Sequence, residues 1–119
     1  MKFLEAKAQC ESDGAYLADP RSDAENTFIA GLISGHFWIG INDIDEEGKF
    51  VTADGLNVSY TNWRDKEPNN YQHTDGNDED GVLINWAGQS LWNDQSINRP
   101  YKFVCYYRIE GKFFNSYAF

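Results

Sequence analysis

Glu67-Pro68-Asn69-Asn70, read with Glu79-Asp80 and Trp92-Asn93-Asp94, is the part of the chain that the rest is organised around. These short stretches hold carboxylate and amide oxygens that can converge on one hard cation. Ca²⁺ takes about six to eight such oxygens at roughly 2.3–2.6 Å. No thiol or imidazole cluster competes, which disfavours zinc, copper and iron. A trans bond before Pro68 would throw Glu67 and Asn69 to different sides, whereas a cis bond turns both toward one point. A cis Glu67–Pro68 bond is therefore expected, X-Pro being where cis bonds occur.

Working outward, Arg64 to Asp80 is a stretch of 17 residues with almost no aliphatic side chain. A loop of that length inside a small domain is usually functional or disordered, and a bound metal would order it. The acids crowd between Asp43 and Asp80 and give the 119-residue chain a formal net charge of −9. That charge argues against nucleic acid and anionic membrane as partners. One bound Ca²⁺ would bring it to −7 and two to −5. No run of about 18 apolar residues exists to span a membrane, and Met1-Lys2-Phe3-Leu4-Glu5 does not read as a signal peptide. Length suits one domain over residues 1–119, and an aromatic content of 16% supplies a core.

Around the loop, periodicity predicts a helix over Met1 to Asp13 stopped by Gly14, and a short strand over Ala15 to Ala18. Ser22-Asp23-Ala24-Glu25 is a capping box opening a second helix through Phe28, Ile29, Leu32 and Ile33, ending near Gly35. Phe37 to Ile41 reads as a strand buried on both faces. Further strands are expected at Phe50-Val51, Val58 to Tyr60, Val82 to Trp86, Leu91-Trp92, Lys102 to Tyr107 and Phe113 to Phe119, with Ile109 to Lys112 as a turn. Cys10 and Cys105 stand near opposite ends. Two cysteines alone do not fix a compartment, but their placement favours a disulfide over two free thiols. Asn57-Val58-Ser59 is an N-glycosylation sequon, of consequence only where a eukaryotic cell secretes the chain.

The ordered set Leu4-Glu5-Ala6 leading to Cys10, Gly14-Ala15-Tyr16-Leu17-Ala18, Trp38-Ile39-Gly40-Ile41, Glu47-Gly48-Lys49-Phe50, Asn62-Trp63, Glu67-Pro68-Asn69, Glu79-Asp80, Trp92-Asn93-Asp94 and Phe103-Val104-Cys105 resembles the C-type lectin-like domain family over nearly the full chain. The resemblance implies an α+β fold of two helices flanking small antiparallel sheets, with a long Ca²⁺-binding loop. It implies a main Ca²⁺ and sugar site of Glu67, Asn69, Glu79, Asn93 and Asp94. A second Ca²⁺ site, implied with less force because Asn70 stands where several relatives have Asp, would use Asp43, Glu47, Asn70, Glu79 and Asp80. Tyr71 and His73 are candidate further sugar contacts. Trp38, Trp63, Trp86 and Trp92 are read as core rather than sugar platforms.

This chain departs from the family pattern in three ways. Gly81 and Ile97 stand where the usual inner disulfide is expected, and the Asn69–Glu79 loop is longer than in compact mannose-binding members. A suitable first strand follows the last one, at Gly111 to Phe119, instead of preceding the helix. That suggests a circular permutation, or a strand swapped between chains or cut at a repeat boundary. The resemblance implies an extracellular, adhesion-type protein with glycans or glycoproteins as partners. One Ca²⁺ is expected and two are allowed, and an oligomer or tandem-domain parent would supply avidity. The alternative is a domain of the same fold that binds a protein surface or ice, with Ca²⁺ as scaffold. An enzyme is not expected: Glu67 and Glu79 could pair for glycoside hydrolysis, but as Ca²⁺ ligands neither is free to donate a proton.

Overall fold

The computed structural model describes residues 1–65, 67, 80–85, 90–109 and 112–118, and from 108 onward the description is of the backbone. Helix α1 (Phe3–Ser12) buries Phe3, Ala6 and Cys10, a spacing that keeps them on one face. The Glu5 carboxylate accepts the Lys2 N–H at its start. Gly14, at φ +75°, takes the left-handed position that lets Ala15 N–H return to the Cys10 carbonyl. Strand β1 (Tyr16–Leu17) follows.

Helix α2 (Asp23–Ala30) begins at Ser22, whose Oγ accepts the Glu25 N–H at 3.2 Å. The Glu25 carboxylate reaches back one residue further than a capping box requires, to the Arg21 N–H. The helix stops at Ala30 rather than near Gly35. Gly31 and Leu32 bond back only three residues, which tightens the last turn, and Asn85 Nδ2 takes the Ala30 carbonyl at 2.8 Å. Phe28, placed on the apolar face by periodicity, is exposed, and Ile29 alone of the expected set is fully buried.

Strands β2 (Phe37–Asn42), β3 (Gly81–Ile84) and β4 (Trp92–Gln95) make one antiparallel sheet in the order β2-β3-β4. Every residue of β2 is buried, as its uninterrupted apolar run predicts. The strand expected over Val82 to Trp86 ends at Ile84 because Asn85 turns to φ +66°. Phe50-Val51 and Val58 to Tyr60 do not form strands: only isolated bridges join Val51 to Asn42 and to Asn57. The second sheet has the order β1-β5-β6, with β5 (Val104–Ile109) and β6 (Lys112–Ala118) antiparallel. Val104 stands opposite Ala118 and Ile109 opposite Lys112, so the tail strand pairs with the preceding one. The two helices and two small antiparallel sheets make the α+β arrangement.

The sheets meet at Gly40. A Cβ there would stand 2.5 Å from the Leu17 carbonyl oxygen, and Gly40 N–H donates to the Ala18 carbonyl at 2.8 Å. Gly81 is similarly committed: a Cβ there would lie 2.7 Å from the Trp38 ring and 3.2 Å from Phe3. Where the family's usual inner disulfide would stand, aromatic packing fills the space at Gly81, and Ile97 packs on the same core. Trp38 and Trp92 are fully buried, in keeping with a core role, and Trp63 is half-buried. Trp86, Gly88, Glu110, Gly111 and Phe119 lie outside the described residues, and of the turn expected over Ile109 to Lys112, Ile109 ends β5 and Lys112 opens β6.

Cys10 on α1 and Cys105 on β5 form a disulfide across a sequence separation of 95. In the chain-entropy model a loop of that length is worth about 4–5 kcal/mol. Replacing both cysteines by Ala should lower the unfolding free energy by an amount of that order in urea titrations. A loss under about 1 kcal/mol would show that the metal-free core holds the ends together unaided.

Candidate functional site

The β2–β3 ladder brings two acids from distant parts of the chain together. Its register shifts between Ile39 and Asn42, and it closes with Asn42 opposite Gly81. The flanking residues Asp43 and Asp80 therefore come out side by side, tied by Asp43 N–H to the Asp80 carbonyl at 3.1 Å. Glu47 joins them from the following loop. Gly48, at φ +83°, turns its N–H back to Asp43 Oδ2 at 2.9 Å. One carboxylate oxygen from each of Asp43, Glu47 and Asp80 lies within 4.8 Å of the others.

The cluster's electrostatics oppose its own ionisation. Asp43 is buried, and its Oδ1 has no hydrogen-bond donor among the described residues. Its pKa is pushed up to about 7, chiefly by burial and further by the Glu47 and Asp80 carboxylates, with the Gly48 N–H pulling the other way. A cation relieves all of these costs at once. Oxygens sharing a Ca²⁺ at about 2.3–2.6 Å stand at most about 5 Å apart, so both spacing and donor type fit that ion. Three of the residues expected to form the second metal site are thus together, while Asn70 and Glu79 lie outside the described residues.

The expected main site is described in part. Asn93 and Asp94 sit on β4, opposite Leu83 and Val82, and both are buried. Residues 62–64 run parallel to this strand: Trp92 N–H donates to the Asn62 carbonyl and Arg64 N–H to the Trp92 carbonyl, each at 2.9 Å. Glu67 N–H then returns to the Arg64 carbonyl. Half-buried Glu67 is thus hydrogen-bonded back to Arg64, the residue whose N–H is held by Trp92. Pro68 and its expected cis bond, Asn69, Tyr71, His73 and Glu79 lie outside the described residues.

Two supporting groups escaped the sequence reading because their partners are far away in the chain. Asp19 Oδ2 accepts from Arg21 Nη2 and from the Ala53 N–H, and the same guanidinium reaches Asp54 at 2.9 Å. Burial raises the Asp54 pKa, but the Thr52 hydroxyl and Arg21 outweigh it and leave the group below its ordinary value. Asn26 on α2 accepts Trp92 Nε1–H at 2.8 Å. An isolated Asn in a helix gives no periodic signal of such a role.

Residues 1–107 match the family model described as the lectin C-type domain. The chain is 34% identical to lectin BRA-3 of Megabalanus rosa over 93% of its own length and 68% of that protein. It is 33% identical to C-type lectin domain family 3 member A of Bos taurus over 90% of its length, and spans only 55% of that relative. Among solved structures it resembles the mouse scavenger receptor C-type lectin carbohydrate-recognition domain. That match has a TM-score of 0.74 and 31% identity, and covers 87% of this chain and 78% of the other.

The carboxylate cluster predicts a Ca²⁺ effect that depends on pH with a definite sign. The Asp43 pKa is raised from 3.8 to about 7, so between those values the folded state keeps a proton that the unfolded state has lost. Its contribution to metal-free stability therefore falls as pH rises through that window. Ca²⁺ must displace this proton, so the rise in melting temperature on adding millimolar Ca²⁺ should be small at pH 5 and large at pH 8. Scanning calorimetry with Ca²⁺ or chelator at both values checks it; equal shifts at the two pH values would remove Asp43 from the site.

Proposed function

We propose, from the premise that this chain belongs to the C-type lectin domain family, that it is a Ca²⁺-dependent carbohydrate-binding domain. The family is one of binding domains and not of enzymes, so its carboxylates are read as ligands rather than as a hydrolytic pair. The observation that supports the reading is the clamp of residues 62–64 on Trp92, which ties the segment leading to Glu67 to the strand that bears Asn93 and Asp94. The mouse relative's description as a carbohydrate-recognition domain supports the same direction.

In this reading Glu67, Asn69, Glu79, Asn93 and Asp94 hold the main Ca²⁺. Asp43, Glu47, Asn70, Glu79 and Asp80 hold a second, structural one. When bound, the main ion supplies open coordination positions for two adjacent sugar hydroxyls. The chain's own part is the hydrogen bonding: Glu67 and Glu79 accept from those hydroxyls, and Asn69 and Asn93 donate to them. A hydroxyl pair of the wrong stereochemistry leaves such groups unpaired at a cost of about 1–3 kcal/mol each, enough to separate epimers. In the family that the chain resembles, Glu-Pro-Asn goes with adjacent equatorial hydroxyls, so Glu67-Pro68-Asn69 favours mannose-, glucose- and fucose-type sugars, with Tyr71 and His73 as further contacts. The partners are extracellular glycans or glycoproteins, engaged through several copies or tandem domains.

Residues 1–119 are read as one domain in which β6 takes the place of a first strand, as a circular permutation would put it. Its antiparallel pairing with β5 supports this, and so does the fact that β6 lies beyond the 107 residues of the family match. Truncation after Arg108 should then lower the melting temperature and expose the β5 edge to self-association. A truncated chain as stable and monomeric as the full one would make the tail an appendage.

Sugar choice is tested by competition titration with free monosaccharides. Mannose and fucose should bind in the millimolar range, galactose more weakly, and chelator should abolish all binding. The double variant Glu67→Gln, Asn69→Asp should shift preference toward galactose, by up to tenfold. Galactose outcompeting mannose on the unmodified chain would overturn the assignment. Ca²⁺-dependent stability without sugar binding would favour a protein-binding domain of the same fold.

A further inference from the structure

We propose that Asn57 is an N-glycan acceptor, so that this chain carries a sugar of its own. The inference rests on the extracellular part of the reading above, since the oligosaccharide is added in the secretory lumen. Asn57-Val58-Ser59 is the only stretch in the sequence with the acceptor pattern Asn-x-Ser/Thr. The structure adds what the pattern alone lacks, because most chance matches fail on placement.

Asn57 and Ser59 are both exposed, while Val58 between them is half-buried. The backbone is extended here: Asn57 stands opposite Val51 in an antiparallel bridge, and Val58 N–H donates to the Phe50 carbonyl. The acceptor follows directly on a tight turn. Thr52 N–H and Oγ1 both bond to the Leu56 carbonyl, and Gly55 sits at φ +86°. The Asn57 amide makes no hydrogen bond to any described residue, so attaching a sugar to it breaks nothing in the fold. The alternating exposure keeps acceptor and hydroxyl on the outer face, where a branched glycan meets solvent rather than core.

The surroundings also suit a sugar. Leu56 is 55% exposed, and beside it a cavity of about 160 Å³ is lined by Asn57 and Ser59 together with Pro20, Arg21, Ile41 and Tyr60. A first sugar on Asn57 would lie over this mixed apolar and polar surface. The Cys10–Cys105 bridge is compatible with this: disulfides persist in the oxidising compartments through which glycosylated chains pass. The transfer balances without a redox partner. Asn57 Nδ2 bonds to C1 of the first sugar of a lipid-pyrophosphate-linked oligosaccharide, the amide loses one proton, and the lipid pyrophosphate leaves.

The test directs the full chain into the endoplasmic reticulum of a eukaryotic cell behind a cleavable leader, and measures the secreted product by intact mass. A single glycan-sized step is expected. Peptide N-glycosidase should remove it and leave an aspartate in place of Asn57. The step should vanish in Asn57→Gln and in Ser59→Ala, and persist in Ser59→Thr, which keeps the hydroxyl. A secreted, disulfide-bonded wild type with no step would overturn the proposal, as would a step that survives Asn57→Gln. Sugar retention on mannose resin, with and without chelator, is measured on the same material. Glycosylated protein that ignores the resin would count against the carbohydrate-binding reading alone, and unglycosylated protein that binds would count against the acceptor alone.

Discussion

Trp92 is the residue on which the described parts of the site depend. Its indole is fully buried and its Nε1–H is spent on Asn26, which fixes α2 against β4. Its backbone N–H and carbonyl hold Asn62 and Arg64. Its ring meets Trp63 and Tyr60 edge-on at 5.5 and 5.8 Å, and Trp63 in turn meets Phe50 at 4.9 Å. Helix, sheet and the segment leading to Glu67 therefore share one rigid reference. A buried indole N–H must find an acceptor, so the orientation is set by hydrogen bonding as well as by packing. Asn93 and Asp94 inherit that orientation because they are the next two residues of the same strand.

The second constraint is electrostatic. Three carboxylates within 4.8 Å, one of them buried, are a cost that folding alone does not repay. The ladder hydrogen bond from Asp43 to Asp80 and the Gly48 N–H fix where Asp43 sits but leave its Oδ1 without a donor among the described residues. Stability and binding therefore draw on the same atoms. A cation that enters the cluster satisfies an oxygen that no described residue satisfies, so metal affinity and folding free energy are linked through Asp43.

Much of this arrangement was legible in the residues. The unbroken apolar run Phe37 to Ile41 became a fully buried strand, and the end-to-end cysteines became a bridge. Asp43 and Glu47, four residues apart, met Asp80 as the family resemblance implied. What was not legible depended on partners remote in sequence. Gly31 was a possible stop after Ala30, but the apolar Leu32 and Ile33 argued for a longer helix, and the group that donates to the Ala30 carbonyl, Asn85, is remote in sequence. Phe50 and Val58 have strand-forming side chains, yet their segment is held by the Asp19–Arg21–Asp54 network and single bridges rather than by a ladder. Propensity speaks for isolated segments, and tertiary partners overrule it.

Gly81 links the aromatic core to the carboxylate cluster. In the resemblance its place belongs to a cysteine, whose bridge would tie β3 to the segment near Ile97. Here the Trp38 ring stands 2.7 Å from where a Cβ would begin, with Phe3 behind it, so even one added carbon forces the aromatic core to move. Phe3 and Trp38 meet edge-on at 5.3 Å, and Trp38 Nε1–H is held by the Met1 carbonyl. This cluster packs α1 against β2 and β3, and the same Gly81 closes the ladder opposite Asn42. Asp80 is therefore positioned by noncovalent packing where a covalent staple would be expected. Packing of this kind relaxes more readily than a disulfide when the core is disturbed. An enlarged residue at position 81 would thus press on the carboxylate cluster through one peptide bond, since the carbonyl of its neighbour Asp80 holds the Asp43 N–H.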